Sequence, residues 1–433
     1  MAHQHSLVTA DQANFPGRLR RINRLNLAPR LGLAWRPIGD KTVLRAGLGV
    51  YRTGVSFDSL TPFTEGPFSL AQTFLNQYDS RTQSFLFQFP RITPATQGGA
   101  PVAAPGSISF GAINPDASRI PYTAQWNLSV DQQVMRDTRV SVSYLGSKVT
   151  HLMYGRNINV PQPSTTPFNQ SRRPYPLFNA ITWYENGGNQ SYHSMETMVY
   201  RRFSGGFQFE GGWTWANALN DVADAGSDLG PAIQNPFFRE KGRQEAVVQH
   251  SLKGTFVLDF PFGRGKALLG SAPKVLDAII GGWRTANSFE FRTGDWFSPL
   301  FTGRDISGTG INTGAPDRIC DGNITGEKNF RKLNGDLSCF VIPAANSGRF
   351  GNAGRGILVG ANNKFWNASL FKEFRIRERA RVRIGCQSQT TFNWLSLGTP
   401  NGDITSPNGF RATGAAKGTP AGRVLEFVGR ISF

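Results

Sequence analysis

Long apolar runs are missing from this sequence of 433 residues. No stretch approaches the 18 or more consecutive apolar residues that a membrane-spanning helix needs, so a bilayer location would require a closed β-barrel. Residues 1–10 lack the apolar core and the cleavage site of a secretory signal peptide. If the protein is a membrane barrel, we therefore expect this sequence to be an N-terminally truncated fragment of it.

Patterns that would indicate an enzyme or a metal site are also missing. The 5 His residues are scattered, and none is spaced with a second His or Cys as a metal site requires. The glycine-rich stretch 351–360 lacks the Lys-Ser/Thr pair of a phosphate-binding loop. We expect no enzymatic activity, no cofactor and no metal; weak calcium binding by Asp221, Asp224 and Asp228 is kept as an alternative to three solvated charges.

Acidic residues are fewer than basic ones, 29 against 47, which gives a formal net charge of +18. A basic surface attracts phosphate, so nucleic acid is one candidate partner. The cations are spread along the chain at strand-like spacing, however, and no nucleic-acid-binding motif accompanies them. We expect no nucleic acid, and anionic lipopolysaccharide as the more natural counterpart.

Glycine, proline and phenylalanine are abundant, at 49, 26 and 33 residues, and short runs between Gly, Pro, Asn and Ser alternate apolar with polar residues. A mean hydropathy of −0.31 fits a membrane barrel, whose strands show lipid only every second residue. The alternation predicts about eleven antiparallel strands, about 9 to 11 residues being the length of a tilted membrane strand. They cover residues 31–35, 42–51, 126–131, 139–144, 195–199, 207–215, 252–260, 283–291, 366–374, 380–390 and 424–433.

The predicted connections alternate in length, as the short periplasmic turns and long outer loops of an outer-membrane barrel do. The short ones are 37–41, 135–138, 204–206 and 375–379, and the long ones are 52–125, 146–191, 216–246, 293–364 and 396–423. The exception, 261–282, contains a predicted short helix over 274–280 at the periplasmic rim. Soluble β-sandwiches and β-propellers have no reason to alternate short and long connections along the whole chain. The fold class is therefore all-β: an antiparallel transmembrane β-barrel, partial at about eleven strands, with long extracellular loops.

The last strand ends in a pattern typical of outer-membrane barrels. Leu425, Phe427, Ile431 and Phe433 share one face, and the outer-membrane barrel-assembly machinery is understood to read such an ending. Four tryptophans near predicted strand ends fit an aromatic girdle: Trp213, Trp215, Trp283 and Trp366. The polar residues that alternate with the apolar ones are candidates to face the lumen: Arg45, Arg139, Gln208, Glu210, Lys253 and Glu290.

The sequence resembles one family in order along nearly its whole length. The motifs are APRLGLAW at 28–35 with TVLRAG at 42–47, PY at 121–122 with WNLSV at 126–130, YLGS at 144–147 with HL at 151–152, RRFSGG at 201–206, DFPFG at 259–263, and FGNAGR at 350–355 with LFK at 370–372. They are similar to those of Oar-like TonB-dependent transporters.

The resemblance implies a barrel of about 22 strands with a plugged lumen, of which residues 1–433, as one barrel domain, would form roughly the second half. In the family the plug and the TonB box lie upstream, so TonB would act only through that missing region. The expected partners are outer-membrane lipid, lipopolysaccharide and the barrel-assembly machinery. In that compartment we expect Cys320 and Cys339 to form a disulfide, with two free thiols as the alternative. Cys386 is expected to be a small lipid-facing residue.

The leading functional hypothesis is an outer-membrane TonB-dependent transporter or receptor that moves a large or scarce substrate across the membrane. The alternative is a surface-exposed adhesion or structural barrel without energy-coupled transport. A soluble carbohydrate-binding protein is a third hypothesis. It would predict polar residues where Leu44, Phe207 and Leu425 stand.

Overall fold

A computed structural model describes residues 11–12, 14, 26–37, 39–53, 78–85, 106, 108–114, 119–222, 237, 241–377, 380–416 and 422–432. Within them lies one large sheet of thirteen strands. None of the helices among these residues is long and apolar enough to cross a membrane.

The longer elements follow the predicted order. They are β1 (Arg30–Trp35), β2 (Thr42–Arg52), β3 (Ile108–Ile113), β4 (Tyr122–Met135), β5 (Thr138–Asn157), β6 (Phe178–Ser204), β7 (Phe207–Asn220), β8 (His250–Asp259), α1 (Lys274–Ile280), β9 (Trp283–Arg292), β10 (Asn363–Arg377), β11 (Ala380–Gln389) and β12 (Val424–Ser432). Two-residue strands lie at Tyr78–Asp79, Ser84–Phe85, Gly242–Arg243, Trp296–Phe297, Phe301–Thr302, Thr313–Gly314, Asp317–Arg318, Phe340–Val341 and Leu358–Val359, and 3-10 helices at Gln170–Arg172 and Leu337–Cys339.

The sheet is an antiparallel meander in which each strand pairs with the next along the chain. Eleven strands form the path β1, β2, β4 to β12, which confirms the predicted strand number. β3 pairs in parallel with the start of β6, and Gly242–Arg243 pairs with the end of β7. The predicted short helix is confirmed at Lys274–Ile280.

The predicted bounds of the central strands were wrong. β5 and β6 have 20 and 27 residues, so the connection between them is 158–177 and not 146–191. β7 likewise continues to Asn220, into the predicted loop 216–246. The extra residues mix polar and apolar types without clear alternation, because strands that project beyond lipid pair with each other in water. Backbone hydrogen bonds hold such an extension without an apolar face.

Strand register divides the sheet into two faces. Successive side chains of a strand point to opposite faces, and directly paired residues share a face. The resulting apolar face carries, from the first strand to the last, Leu31, Leu33, Leu48, Trp126, Leu128, Val142, Phe209, Leu252, Phe256, Leu370, Ile384, Leu425, Phe427 and Ile431. Many of them are exposed, from Trp126 at 37% to Phe427 at 86%. An apolar surface this extensive is not stable in water.

The two ends of the sheet differ. At one end, which we call the short-turn rim, adjacent strands are joined by short connections, among them the two-residue turns at 136–137 and 205–206. Gly205 and Gly206 have φ values of +60° and +83°, as a two-residue hairpin turn with positive φ at both positions requires. The connections at the other end are long. They form the layer described below as the outer cap.

Within the described residues β1 and β12 each pair on one side only, so the sheet is open. β1 and β12 are the first and the eleventh strands of the antiparallel path, so they run in the same direction. An all-antiparallel closure therefore requires an odd number of further strands between them, consistent with the expected partial barrel.

Candidate functional site

The face opposite the apolar face, which we call the polar face, carries all six predicted lumen candidates. Arg139 pairs with Tyr200, and Tyr200 pairs with Glu210. Lys253 pairs with Glu290. Along β8, Lys253 lies two positions from the residue that pairs with Glu210. Register places Arg45 and Gln208 on this face as well. The alternation of polar and apolar residues along each strand was the sequence signal that predicted these positions.

A charged cluster occupies the polar face near the short-turn rim. Asp131, only 8% exposed, forms an ion pair with Arg45, and its Oδ1 lies 3.9 Å from Nε of Arg139. The guanidinium of Arg139 also stands 4.5 Å from the ring centroid of Tyr200. These groups line a cavity of about 410 Å³. Sequence reasoning missed the role of Asp131, although an aspartate in an alternating strand was the available signal.

Two further ion pairs bridge neighbouring strands on the polar face. Arg284 Nη2 donates to Asp259 Oδ2 at 3.0 Å, joining β9 to β8. Arg383 Nη2 donates to Glu373 Oε2 at 3.1 Å, joining β11 to β10. Each pair is partly exposed and contributes roughly 0.2–1 kcal/mol. Their larger consequence is chemical: the polar face presents both signs of charge and suits contact with water, not with lipid.

The outer cap consists of residues 293–362, 390–416 and 158–177 at the long-loop end of the sheet. It has its own hydrophobic core around Phe297, Phe340, Leu358 and Phe410, each at most 6% exposed. The ring centroid of Phe410 lies 5.5 Å from that of Phe297 and 5.4 Å from that of Phe340. Residues more than 100 positions apart therefore pack into one folded unit.

Cys320 and Cys339 are joined by a disulfide in the outer cap, with a Cα–Cα distance of 4.9 Å. Cys339 belongs to the hydrophobic core. Nearby, the Arg349 guanidinium holds the pKa of the Asp317 carboxyl below its usual range. Hydrogen bonds from the hydroxyl and backbone N–H of Ser338 lower the pKa of Asp336.

Two arginine contacts fasten the segments of the outer cap to each other and to the sheet. The Asp305 carboxylate accepts hydrogen bonds from the backbone N–H groups of residues 307–310 and shapes a tight turn. Arg172 donates to the carbonyl of Gly308 in this turn at 2.6 Å, and to Thr166 within its own segment at 2.7 Å. Arg355 Nη2 donates to Asn220 Oδ1 at the end of β7.

The remaining predicted positions fall as follows. Leu425, Phe427, Ile431 and Cys386 lie on the apolar face, and Phe433 lies outside the described residues. The four girdle tryptophans are also on the apolar face, with Trp283 at the short-turn rim and the other three toward the outer cap. Residues 351–360 are part of the outer cap.

Calcium binding gains no support from the part of the chain that is described. The Asp221 carboxylate accepts from the backbone N–H and the Nδ2 of Asn189, so it supports the β6–β7 pairing. Asp224 and Asp228 lie outside the described residues. Among the residues that are described, no group of three or more His, Cys, Asp or Glu side chains could hold a metal ion.

An antiparallel meander with an exposed apolar face, a charged opposite face and alternating short and long connections is the wall of an outer-membrane β-barrel. The family "Outer membrane beta barrel domain" matches residues 2–426, and the chain belongs to this family. The protein is accordingly located in the outer membrane. No curated protein sequence gives a match.

Several solved structures are similar to this chain. The outer membrane transporter YddB from Escherichia coli is 9% identical, over 94% of this chain and 41% of that one, with a TM-score of 0.49. A mutant of the ferric enterobactin receptor PfeA from Pseudomonas aeruginosa is 9% identical, over 94% and 40%, with a TM-score of 0.43. The FrpB iron transporter from Neisseria meningitidis is 12% identical, over 94% and 39%, with a TM-score of 0.39. The chain spans about two fifths of the length of these proteins.

Proposed function

We propose that this chain forms part of the barrel wall of a transporter that moves a large or scarce substrate across the outer membrane, without catalysis. The observation that carries the proposal is the charged polar face behind a lipid-facing wall. Charged groups placed against hydrocarbon are costly, so this face must border water or polar protein. A barrel that needs further strands to close would enclose a hydrated lumen lined by Arg45, Glu210, Lys253 and Glu290.

The outer cap would make the first contact with the substrate. It covers the long-loop end, which faces the cell exterior if the short turns are periplasmic. Its hydrophobic core and disulfide hold a defined surface in place, and ligand-binding residues commonly lie on loops that a rigid scaffold positions. Selectivity would then reside in the cap, and the polar face would hydrate the passage beneath it.

The energy source in this proposal is TonB, as the resemblance to Oar-like transporters implies. The contact with TonB would be made by a plug region outside these 433 residues. Assembly would use the barrel-assembly machinery, which would read the aromatic and aliphatic residues of β12. Lipopolysaccharide would contact the basic outer surface.

Uptake by intact cells tests the transport proposal even while the substrate is unidentified. Medium in which the parent strain and a strain lacking the gene have grown is compared by mass spectrometry. We expect at least one large solute to be depleted by the parent alone, and the depletion to stop when an uncoupler collapses the proton gradient. Identical media from both strains would contradict transport.

A pair of charge-neutral double variants connects that uptake to the polar face. Lys253→Gln with Glu290→Gln removes one cation and one anion from the proposed lumen and should slow depletion. Arg36→Gln with Asp40→Asn removes an exposed ion pair from a short turn, again without change in net charge, and should leave the rate unchanged. Equal depletion rates in both double variants would mean that these polar-face charges do not contribute to transport.

An adhesion or structural barrel is the second candidate, and one feature of the outer cap favours it. Ile319, Phe330 and Val341 are 67%, 50% and 47% exposed on the cap, where a partner could cover them. Loss of surface attachment in the deletion strain, with unchanged medium composition, would support this alternative.

A further inference from the structure

The segment 260–282, which interrupts the alternation of short and long connections, has an unusual surface at the short-turn rim. Apolar side chains project from it: Val275 is 77% exposed, Ile279 64%, Leu269 57% and Leu268 49%. Three exposed cations lie among them, at Arg264, Lys266 and Lys274, against a single acidic residue, Asp277. Exposed aliphatic groups mixed with cations are typical of a segment that lies in a membrane interface.

The contacts of α1 place this segment beside the lipid-facing wall. Trp283 and Lys372 are directly paired on the apolar face. Trp283 Nε1 donates to the carbonyl of Ile279 at 2.9 Å, and Lys372 Nζ donates to the same carbonyl at 3.2 Å and to that of Gly281. The C-terminal end of α1 is therefore fastened to the two strands from their apolar side.

Lys372 shows that this attachment is built into the fold. It is only 5% exposed although it lies on the apolar face. Its ammonium satisfies carbonyls at the helix C-terminus, where a cation is favoured, and stands 5.2 Å and 5.0 Å from the ring centroids of Trp283 and Phe374. A buried cation with these partners is compatible with a lipid-facing wall.

A cavity of about 490 Å³ opens beneath α1 at the rim. Its lining carries more cations than anions: Arg264, Lys266, Lys274, Arg284, Lys372 and Arg383 against Asp259, Asp277 and Glu373. Aromatic residues of the strands complete it. The cavity lies at the end of the sheet and borders both the polar face and the apolar face. That combination fits a phospholipid, whose phosphate would contact the cations while its acyl chains lie along the apolar wall.

We propose that segment 260–282 is an interfacial anchor that lies in the periplasmic leaflet and binds anionic phospholipid. Two observations favour this occupant. The segment is continuous with the lipid-facing wall, and cations outnumber anions both in the segment, three to one, and in the cavity lining, six to three. The choice of leaflet relies on the orientation given by short periplasmic turns. The anchor would fix the depth and tilt of the barrel wall.

Spin labels measure whether the segment enters the membrane. The full chain, with Cys386→Ser to remove the free thiol, is labelled at Ile279→Cys or at Asp40→Cys and reconstituted in phosphatidylcholine vesicles containing phosphatidylglycerol. Asp40 lies at the same rim with its side chain 93% exposed. We expect the Ile279 label to be reached by oxygen and shielded from a water-soluble nickel chelate, and the Asp40 label to show the reverse. Equal access of the chelate to both labels would overturn the proposal.

Native mass spectrometry then tests the preference for anionic lipid. Retention of phosphatidylglycerol over phosphatidylcholine is compared between the chain and the variant Lys266→Gln with Lys274→Gln. Each cation near an anionic surface contributes a factor of about five, so the preference should fall by roughly 25-fold. Arg36→Gln with Lys41→Gln, the same charge loss at another turn of the rim, should keep it.

The two double variants separate a specific site from general charge. An equal loss of preference in both, or no loss in either, would refute an anionic-lipid site in this segment. Neither measurement depends on transport. A negative uptake experiment would therefore not contradict the proposed anchor. A negative result for the anchor would likewise not affect the transport proposal.

Discussion

Reduction of the disulfide Cys320–Cys339 should loosen the outer cap while the sheet stays intact. The two cysteines are 19 residues apart in sequence. A cross-link of this span lowers the conformational entropy of the unfolded chain and so raises the free energy of unfolding by about 3 kcal/mol. If the cap opens as a local unit, its open population should rise by roughly 150-fold on reduction, at 1.36 kcal/mol for each factor of ten.

Trypsin provides the assay because three of its cleavage sites, Lys328, Arg331 and Lys332, lie between the cysteines. When opening and closing are fast relative to cleavage, the cleavage rate follows the open population. We expect cleavage at these sites to accelerate by about two orders of magnitude after addition of dithiothreitol. The double variant Cys320→Ala with Cys339→Ala should show the fast rate with or without reductant.

Cleavage at the short-turn rim is the internal control. The bond after Lys41 lies on an exposed turn far from the cap and should be cut at the same rate before and after reduction. An unchanged rate between the cysteines would refute the stabilising role of the disulfide. Equal acceleration at both ends would mean that reduction unfolds the whole chain, contrary to a separately folded cap.

Three other predictions concern the charged cluster, the two faces and the pH dependence of the cap. Asp131→Asn should lower the free energy of unfolding in micelles by about 1–2 kcal/mol, less than for a fully buried pair because its two arginine partners are half exposed. Leu128→Lys on the apolar face should cost about 2–4 kcal/mol in urea unfolding from vesicles, whereas Ser129→Lys on the polar face should cost far less. Because Arg349 lowers the pKa of Asp317, their pairing should stabilise the cap above the ordinary aspartate pKa and be lost as pH falls through the lowered value, as hydrogen exchange can measure.

Each of these has a result that would contradict it. Unchanged unfolding of the Asp131 variant would mean that the arginines find equal partners in water. Equal destabilisation by lysine at positions 128 and 129 would contradict the assignment of the two faces. For the cap, Asp317→Asn should abolish this acid-dependent loss of protection, and an unchanged pH profile in that variant would assign the effect to another group.

Strand number, face assignment and the short helix could be predicted because each depends on local sequence. The period-2 alternation of Leu44, Arg45 and Ala46 places neighbouring residues on opposite faces whatever the partner strand is. The six lumen candidates and the residues of β12 follow from the same rule. Disulfide formation followed from the expected compartment and from the presence of two cysteines in one loop.

The lengths of β5 and β6, the outer cap and the charged cluster were decided by tertiary structure. Strands that pair only with each other beyond the membrane need no alternation, so their ends leave no periodic signal. Phe297, Phe340 and Phe410 meet in one core although more than 100 residues separate the first from the last, and no local pattern connects them. Asp131 gains its role only when register brings Arg45 and Arg139 to the same face. Contacts of this kind depend on chain path and packing, which is why the sequence determined the barrel wall and the tertiary structure decided the cap and the charge pairing.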